Sequence, residues 1–451
     1  MSRERHARLA ALDKAHVWHP FTQMQGWDEE DPLIIERAEG SWLIDDEGKR
    51  YLDGVSSLWV TVHGHRKKEL DDAVCAQLDR VAHSTLLGLA SVPSLELAAE
   101  LVKRAPAGLT KVFYSDSGST SVEVALKMAF QFWRQSGRPE RKRFLALGEA
   151  YHGDTLGSVS VGGMELFHDI FRPLLFDVLR APTSYCYRCP LGKTFPSCES
   201  ACAGEMERMI AEHAHELAAV VVEPLMQGAA GMIAQPKGYL ARVAAACRKH
   251  DVLLVVDEVA TGFGRTGTLF ACEQEGVTPD LLCVAKGLTG GYLPLAATLA
   301  TQKIFDAFRG PFESRRTFFH GHTYTGNPLA CAAALANLAL FDREHTLDHV
   351  RDLEPTMQRG LAAIAELPHV GDIRRRGMMI GIELVKERAT KSEYDYATRM
   401  GHRVICEARE RGVVIRPLGN VVVLMPPLSI SSDELALLLD VTRASIERVT
   451  A

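Results

Sequence analysis

A mainly parallel α/β sheet flanked by helices, with a smaller α+β unit contributed by both ends of the chain, is the fold this sequence predicts. Three observations carry it. Short apolar runs recur through the middle of the chain, segments of helical period separate them, and both ends break the alternation. Strand–helix–strand repetition puts helices on both faces of a parallel sheet, because a parallel pair needs a long crossover. The 451 residues exceed one average domain. With 47% hydrophobic and 24% charged residues, the chain can bury a large core.

Taken in order, the first segment, MSRERHARLAALDKAHVWHP, lacks an apolar core of signal-peptide type. No apolar run approaches the ~20 residues a membrane-spanning helix needs. A cytoplasmic protein is expected. Residues 34 to 62 read as short antiparallel strands joined at D-E-G and D-G turns. KVFYS at 111, RFLALGE at 143, AAVVVEP at 218, LLVVDE at 253, LLCVAK at 281 and PLAATLAT at 294 are the candidate strands of the sheet. VEVALKMAFQFW after 121 and YLARVAAACRKH after 239 repeat apolar residues at three- and four-residue spacing, as helices do. After about 340 the pattern is helical, and strands return around GVVIRPLGNVVVLMPPL. The expected division is residues 1–74 and 336–451 in the small unit and 75–335 in the large one.

Charge and cysteine usage narrow the function. A net charge of −6 and a pI near 6.3 offer no basic face to nucleic acid or anionic membrane. Six of the ten cysteines (Cys75, Cys247, Cys272, Cys283, Cys331, Cys406) are scattered singly, as buried free thiols of a reducing compartment would be.

The segment LLVVDEVATGFGRTG, 253 to 267, holds glycines in G-x-G-x-x-G spacing. A dinucleotide loop would follow its strand at once, with an acid about 20 residues further on at the end of the next strand. Here residues intervene after Asp257-Glu258, and the next strand ends in Lys286. The nucleotide reading fails on context.

A carboxylate and a lysine at the carboxyl ends of successive strands fit better, because open α/β sheets bind their ligands there. Lys286, in VAKGLTGGYLP, has apolar residues before it and glycines after it. Burial lowers the pKa of such an amine, which can then condense with an aldehyde. Alone it would read as a surface lysine; beside Asp257 it forms the pair that pyridoxal phosphate requires. The lysine holds the aldehyde, and a buried carboxylate keeps the pyridine nitrogen protonated. In YSDSGSTSVEVALKMA, Gly118, Ser119 and Thr120 open a helix whose free N–H groups suit a phosphate, the alternative being a plain N-cap. Tyr151, in EAYHGDT, would stack on the ring or be an ordinary buried tyrosine.

Four such parts from four strand ends give a chain that resembles the class III, fold-type I pyridoxal-phosphate aminotransferases over essentially its whole length. The segment VVDEVATGFGRTG…PDLLCVAKGLTGGYLP is highly specific. Within that class VWHPFTQM, DGVSSLWVTVHGH, FFHGHTYTGNPLACAAA and IRPLGNVVVLMPPL resemble the 8-amino-7-oxononanoate aminotransferases of biotin synthesis. The resemblance implies a homodimer with shared active sites. It makes Lys286 the cofactor lysine and proton shuttle, Asp257 the pyridine partner, and Gly118 and Ser119 the phosphate cup. It also implies that Tyr151 stacks, Trp59 walls the substrate pocket, and Gly321, His322 and Thr323 reach the neighbour's phosphate and substrate. Arg416 would meet the substrate carboxylate, as a guanidinium fork suits one. Trp59 could instead be core and Arg416 a surface residue. Arg265 is read as part of a structural ion pair, and Asp154 as a donor-ammonium contact or a turn cap. Phe21 stands where adenosylmethionine-using members carry tyrosine, so the donor is open between adenosylmethionine and L-lysine.

One motif falls outside this scheme. CYRCPLGKTFPSCESAC pairs Cys186 with Cys189 and Cys198 with Cys202. The spacing resembles a small zinc knuckle; a plain four-thiol loop or a labile disulfide fits as well.

Overall fold

The computed structural model describes residues 2–451. Strands β1 (Ile35–Glu39), β2 (Trp42–Asp45) and β3 (Arg50–Asp53) form the expected antiparallel run. It stops at Asp53 and does not extend to 62. The Asp53 carboxylate accepts hydrogen bonds from Val55 N, Ser57 N and Ser57 Oγ, and this turns the chain away from the sheet.

The central sheet contains β4 (Leu109–Ser115), β5 (Arg143–Leu147), β6 (Val178–Ala181) and β7 (Leu217–Val222). After a small hairpin, β8 (Met226–Gln227) and β9 (Ile233–Ala234), it continues with β10 (Leu253–Asp257), β11 (Leu281–Val284) and β12 (Ala296–Thr301). The order is β4-β12-β11-β10-β7-β5-β6. Every residue of β7, β10 and β11 is buried, which explains their unbroken apolar runs: helices cover both faces. Strand β12 alone runs antiparallel to its neighbours. Its connection from β11 holds only the 3₁₀ turn Lys286–Thr289, too little chain for a parallel crossover.

The helix Gly118–Gln135 packs a buried stripe from Val122 to Trp133 against this sheet. Ser117, at its N-cap, accepts from Thr120 N.

Beyond the helix Pro328–Arg343 come β13 (Val370–Arg376), β14 (Met379–Leu384), β15 (Val413–Val414), β16 (Arg416–Leu418) and β17 (Val421–Leu424). The β13–β14 hairpin lies in a stretch expected to be helical. Its IRRRG segment shows no apolar alternation, because Arg374 is buried through ion pairs to Asp372 and to Glu383 on β14. Strand β15 pairs in parallel with β3, so chain from both ends shares one sheet. No helix among the described residues is long and apolar enough to cross a membrane.

The loop between β6 and the helix Ala201–His213, with the first turn of that helix, carries the four-cysteine motif. Cys186, Cys189, Cys198 and Cys202 are free thiols around one cavity of about 10 Å³. Among the described residues no three His, Cys, Asp or Glu side chains are arranged to hold a metal ion, and the thiols lie free. Burial pushes the Cys186 thiol up to about 11 and raises Cys202 too, and the neighbouring cysteines add to both shifts. Side-chain hydrogen bonds fix the loop. Tyr185 and Arg188 both donate to Glu383, and Lys391 Nζ donates to Tyr187 O at 2.7 Å.

Candidate active site

Strands β4, β5, β7, β10 and β11 point their carboxyl ends to one edge of the sheet, and the residues that follow them open a cavity of about 760 Å³. Asp257 closes β10, opposite Cys283 on β11, and Lys286 follows two residues after that strand ends. Both line the cavity. The Lys286 amine lies 4.8 Å from the centre of the Trp59 ring. Desolvation lowers its pKa to about 8, opposed by the charges of Asp257 and Glu223 and assisted by Arg265. A useful fraction of the amine is therefore uncharged near neutral pH.

The backbone at Lys286 is left-handed, φ +48°, a conformation that costs a non-glycine residue about 1–2 kcal/mol. Asn337 holds it there. Its Nδ2 donates to Gly287 O at 2.9 Å and to Leu288 O at 3.0 Å. Gly290 completes the turn at φ +64°, where a Cβ would stand 2.7 Å from Asn337 Oδ1.

Asp257 Oδ2 lies 2.7 Å from His152 Nδ1, and its Oδ1 accepts from Val259 N at 3.0 Å. His152 is fully buried and its Nε2 has no partner. Neither His152 nor the buried Glu223, directly after β7, was singled out from sequence. Glu223 obeys the rule that found Asp257, a polar residue at the carboxyl end of an apolar strand, whereas His152 sits five residues past the end of β5.

The residues expected to form a phosphate cup, Gly118, Ser119 and Thr120, lie at the start of the helix Gly118–Gln135. Gly118 opens its helix so close to Val259 that a Cβ would come within 2.4 Å of it. Ser119 is not the N-cap, which is Ser117; its Oγ lies 2.7 Å from Thr155 Oγ1 and accepts from Thr155 N. Thr120 donates its hydroxyl to Ser117 O and so serves the turn. The residues fit a phosphate: an open helix N-terminus, a close-approach glycine, and a serine and a threonine hydroxyl lining the same cavity.

Tyr151 lines the cavity, and its hydroxyl donates to Asp154 Oδ2 at 2.7 Å. Asp154 lines the cavity too. Trp59 is buried, with its Nε1 unpartnered. It ends a left-handed helical turn of four non-glycine residues, Ser56 to Trp59, at φ between 46° and 72°. Arg265 explains how that turn persists. It is 1% exposed and donates to Ser56 Oγ, Pro426 O and Thr61 O at 2.7–3.1 Å. The expected ion pair is thus replaced by carbonyls and a hydroxyl, with Asp53 supplying the nearby negative charge.

Arg416, the first residue of β16, reaches the cavity, and among the described residues no carboxylate pairs with it. Phe21 lines the mouth at 60% exposure, its ring 5.3 Å from that of Phe167. Gly321 and Thr323 are exposed and do not line this cavity; His322 Nδ1 lies 2.8 Å from Asp116, at the cavity edge.

Known proteins resemble this chain over most of its length. The family described as "Aminotransferase class-III" matches residues 24–446. A protein of Nitratidesulfovibrio vulgaris named adenosylmethionine-8-amino-7-oxononanoate aminotransferase is 61% identical over 448 residues, covering 99% of this chain and 83% of that one. The crystal structure of the protein so named from Methanocaldococcus jannaschii superposes with a TM-score of 0.94 at 47% identity, covering 98% of this chain and 99% of that one. An (S)-enantioselective omega-transaminase of Thermomicrobium roseum superposes at 0.93 with 37% identity, covering 98% of each chain. On the match over 24–446 and these identities, the chain belongs to the class III aminotransferases, a family of pyridoxal-phosphate enzymes.

Proposed function

We propose that this chain transfers an amino group to the ketone of 8-amino-7-oxononanoate, giving the 7,8-diamine used in biotin synthesis, with adenosylmethionine or L-lysine as donor. The observation that carries the reading is one cavity in which the Lys286–Asp257 pair faces the same space as an unpaired guanidinium, Arg416. An acceptor with a ketone and a distant carboxylate suits both ends. The names of the relatives at 61% and 55% identity agree.

When bound, pyridoxal phosphate supplies an aldehyde for the amine and a protonated ring that draws electrons from the reacting carbon. Lys286 would hold the aldehyde, and its Nζ, when not so engaged, would be the base that takes up and returns a proton in the cavity. Asp257 keeps the ring nitrogen protonated, and His152 orients Asp257. The helix N-terminus at Gly118 and Ser119 takes the phosphate. Tyr151, fixed through Asp154, would offer its ring to the cofactor from the cavity wall, and Trp59 would keep water from the lysine. The acceptor half repeats these steps in reverse on the same groups, so kinetics should be ping-pong. We further assign a cytoplasmic homodimer in which Gly321, His322 and Thr323 serve the second copy; the exposure of Gly321 and Thr323 supports this.

Arg416→Ala should weaken acceptor binding by roughly 2–5 kcal/mol, because a carboxylate loses its partner in a half-buried site. The acceptor KM reads this directly, and an unchanged KM would remove Arg416 from the site.

The function itself is tested by supplying 8-amino-7-oxononanoate with adenosylmethionine, L-lysine or L-alanine and measuring the diamine formed. Turnover of simple amines with pyruvate, and none with 8-amino-7-oxononanoate, would assign an ω-amino acid aminotransferase instead. The donor bears on Phe21. A phenol there would stand in contact with water, so Phe21→Tyr should raise kcat/KM for adenosylmethionine by only about 3–10-fold. Identical values in both proteins would mean that Phe21 says nothing about the donor.

A further inference from the structure

Glu223 is the buried carboxylate that the reaction scheme leaves unused. The parallel register pairs Val222 of β7 with Val256 of β10, so Glu223 comes level with Asp257 on the next strand. It is 5% exposed and lines the same cavity as Lys286. Its Oε1 accepts from Tyr151 N at 3.2 Å and its Oε2 from Gly228 N at 2.9 Å. Both oxygens thus meet N–H donors, an arrangement suited to the ionised form.

A carboxylate in a dry site is costly without a cation. Asp257 has His152 at 2.7 Å, whereas no cation forms a salt bridge with Glu223 among the described residues. The side chains lining the cavity that can carry positive charge are Lys286, Arg416 and His152, the last held by Asp257. Lys286 feels the charge of Glu223, while the charge that Arg416 feels comes from Tyr151.

We infer that Glu223 is a second counter-charge, beside Asp257, that favours a proton on the Lys286 nitrogen. It is a positioning residue, since it touches the Tyr151 and Gly228 backbone and acts on the reacting nitrogen only through its field. The inference rests on Lys286 being the cofactor lysine. Other charges face the pair: Asp257 and Arg265 act on Lys286, and His152 and Asp257 on Glu223. Burial raises Glu223 to about 7, so its negative charge grows as pH rises through 7 and delays loss of the lysine proton. A proton on that nitrogen makes the carbon joined to it a better target for the incoming donor amine.

The experiment compares the native protein with Glu223→Gln and Glu223→Asp. Two midpoints are read: the pH titration of the visible cofactor band in the loaded protein, and that of Lys286 labelling by an amine reagent in the cofactor-free protein. Removing the charge should lower both midpoints by about one pH unit in the glutamine variant. The aspartate variant, whose charge is set back by one methylene, should show a smaller shift in the same direction. Unmoved midpoints, or equal shifts in both variants, would overturn the inference. If the glutamine variant does not fold, a lowered midpoint in the aspartate variant supports the inference and an unmoved one overturns it. Borohydride reduction of the native protein separates the two readings. A tag on another lysine overturns both, whereas a tag on Lys286 with unmoved midpoints overturns only the role of Glu223.

Discussion

Lys286→Ala is expected to lower kcat by at least ~10⁴-fold while the protein keeps its fold and still takes up pyridoxal phosphate without a covalent bond. Two functions disappear together: the nitrogen that joins the cofactor, and the base that carries the proton between carbons. The fold should tolerate the change. Alanine and lysine meet the same penalty at φ +48°, and Asn337 still holds the following carbonyls. Loss of the lysine stem opens space beside Trp59, so only a modest drop in Tm is expected. The native amine, at about 8, should capture cofactor roughly tenfold faster at pH 9 than at pH 7, as its neutral fraction rises. A variant that turns over within tenfold of the native rate would place the chemistry on another residue.

Asp257→Asn should cost about 10³-fold in kcat, with substrate KM values little changed. The amide has no charge with which to keep a ring nitrogen protonated. It also alters His152, whose Nδ1 sits 2.7 Å from Oδ2 and whose ring nitrogens then choose their proton afresh. Single-turnover rates with each donor measure the loss in each half-reaction separately. Both halves should slow by similar factors, because both need the same electron-withdrawing ring. A loss confined to one half would mean that Asp257 contacts that substrate and not the cofactor.

The parts of the site that could be read from sequence are those that break a strong local pattern. Asp257 and Lys286 each terminate an apolar strand, and Gly118 and Ser119 stand where a strand gives way to a helix. Glu223 obeys the same rule but is masked by the following Pro224, and His152 lies in a loop five residues past β5, where no local pattern marks it. The left-handed turn from Ser56 to Trp59 contains no glycine or asparagine to announce it. It depends on Arg265, some 200 residues away in sequence, whose guanidinium bonds Ser56, Thr61 and Pro426. Such a contact has no local signature. The β13–β14 hairpin was hidden because Arg374 is buried through pairing and not through hydrophobicity. The cysteine motif is legible only as a spacing, and spacing fixes neither the direction of the thiols nor their ionisation. Burial keeps the Cys186 proton on.

Borohydride reduction of the cofactor-loaded protein, followed by peptide mapping, tests the central claim most directly. The account predicts a single cofactor-modified peptide spanning LLCVAKGLTGGYLP, with the added mass on Lys286 and loss of the visible band. Modification of any other lysine, or a protein that reduction leaves unmodified while it still turns over, would contradict it.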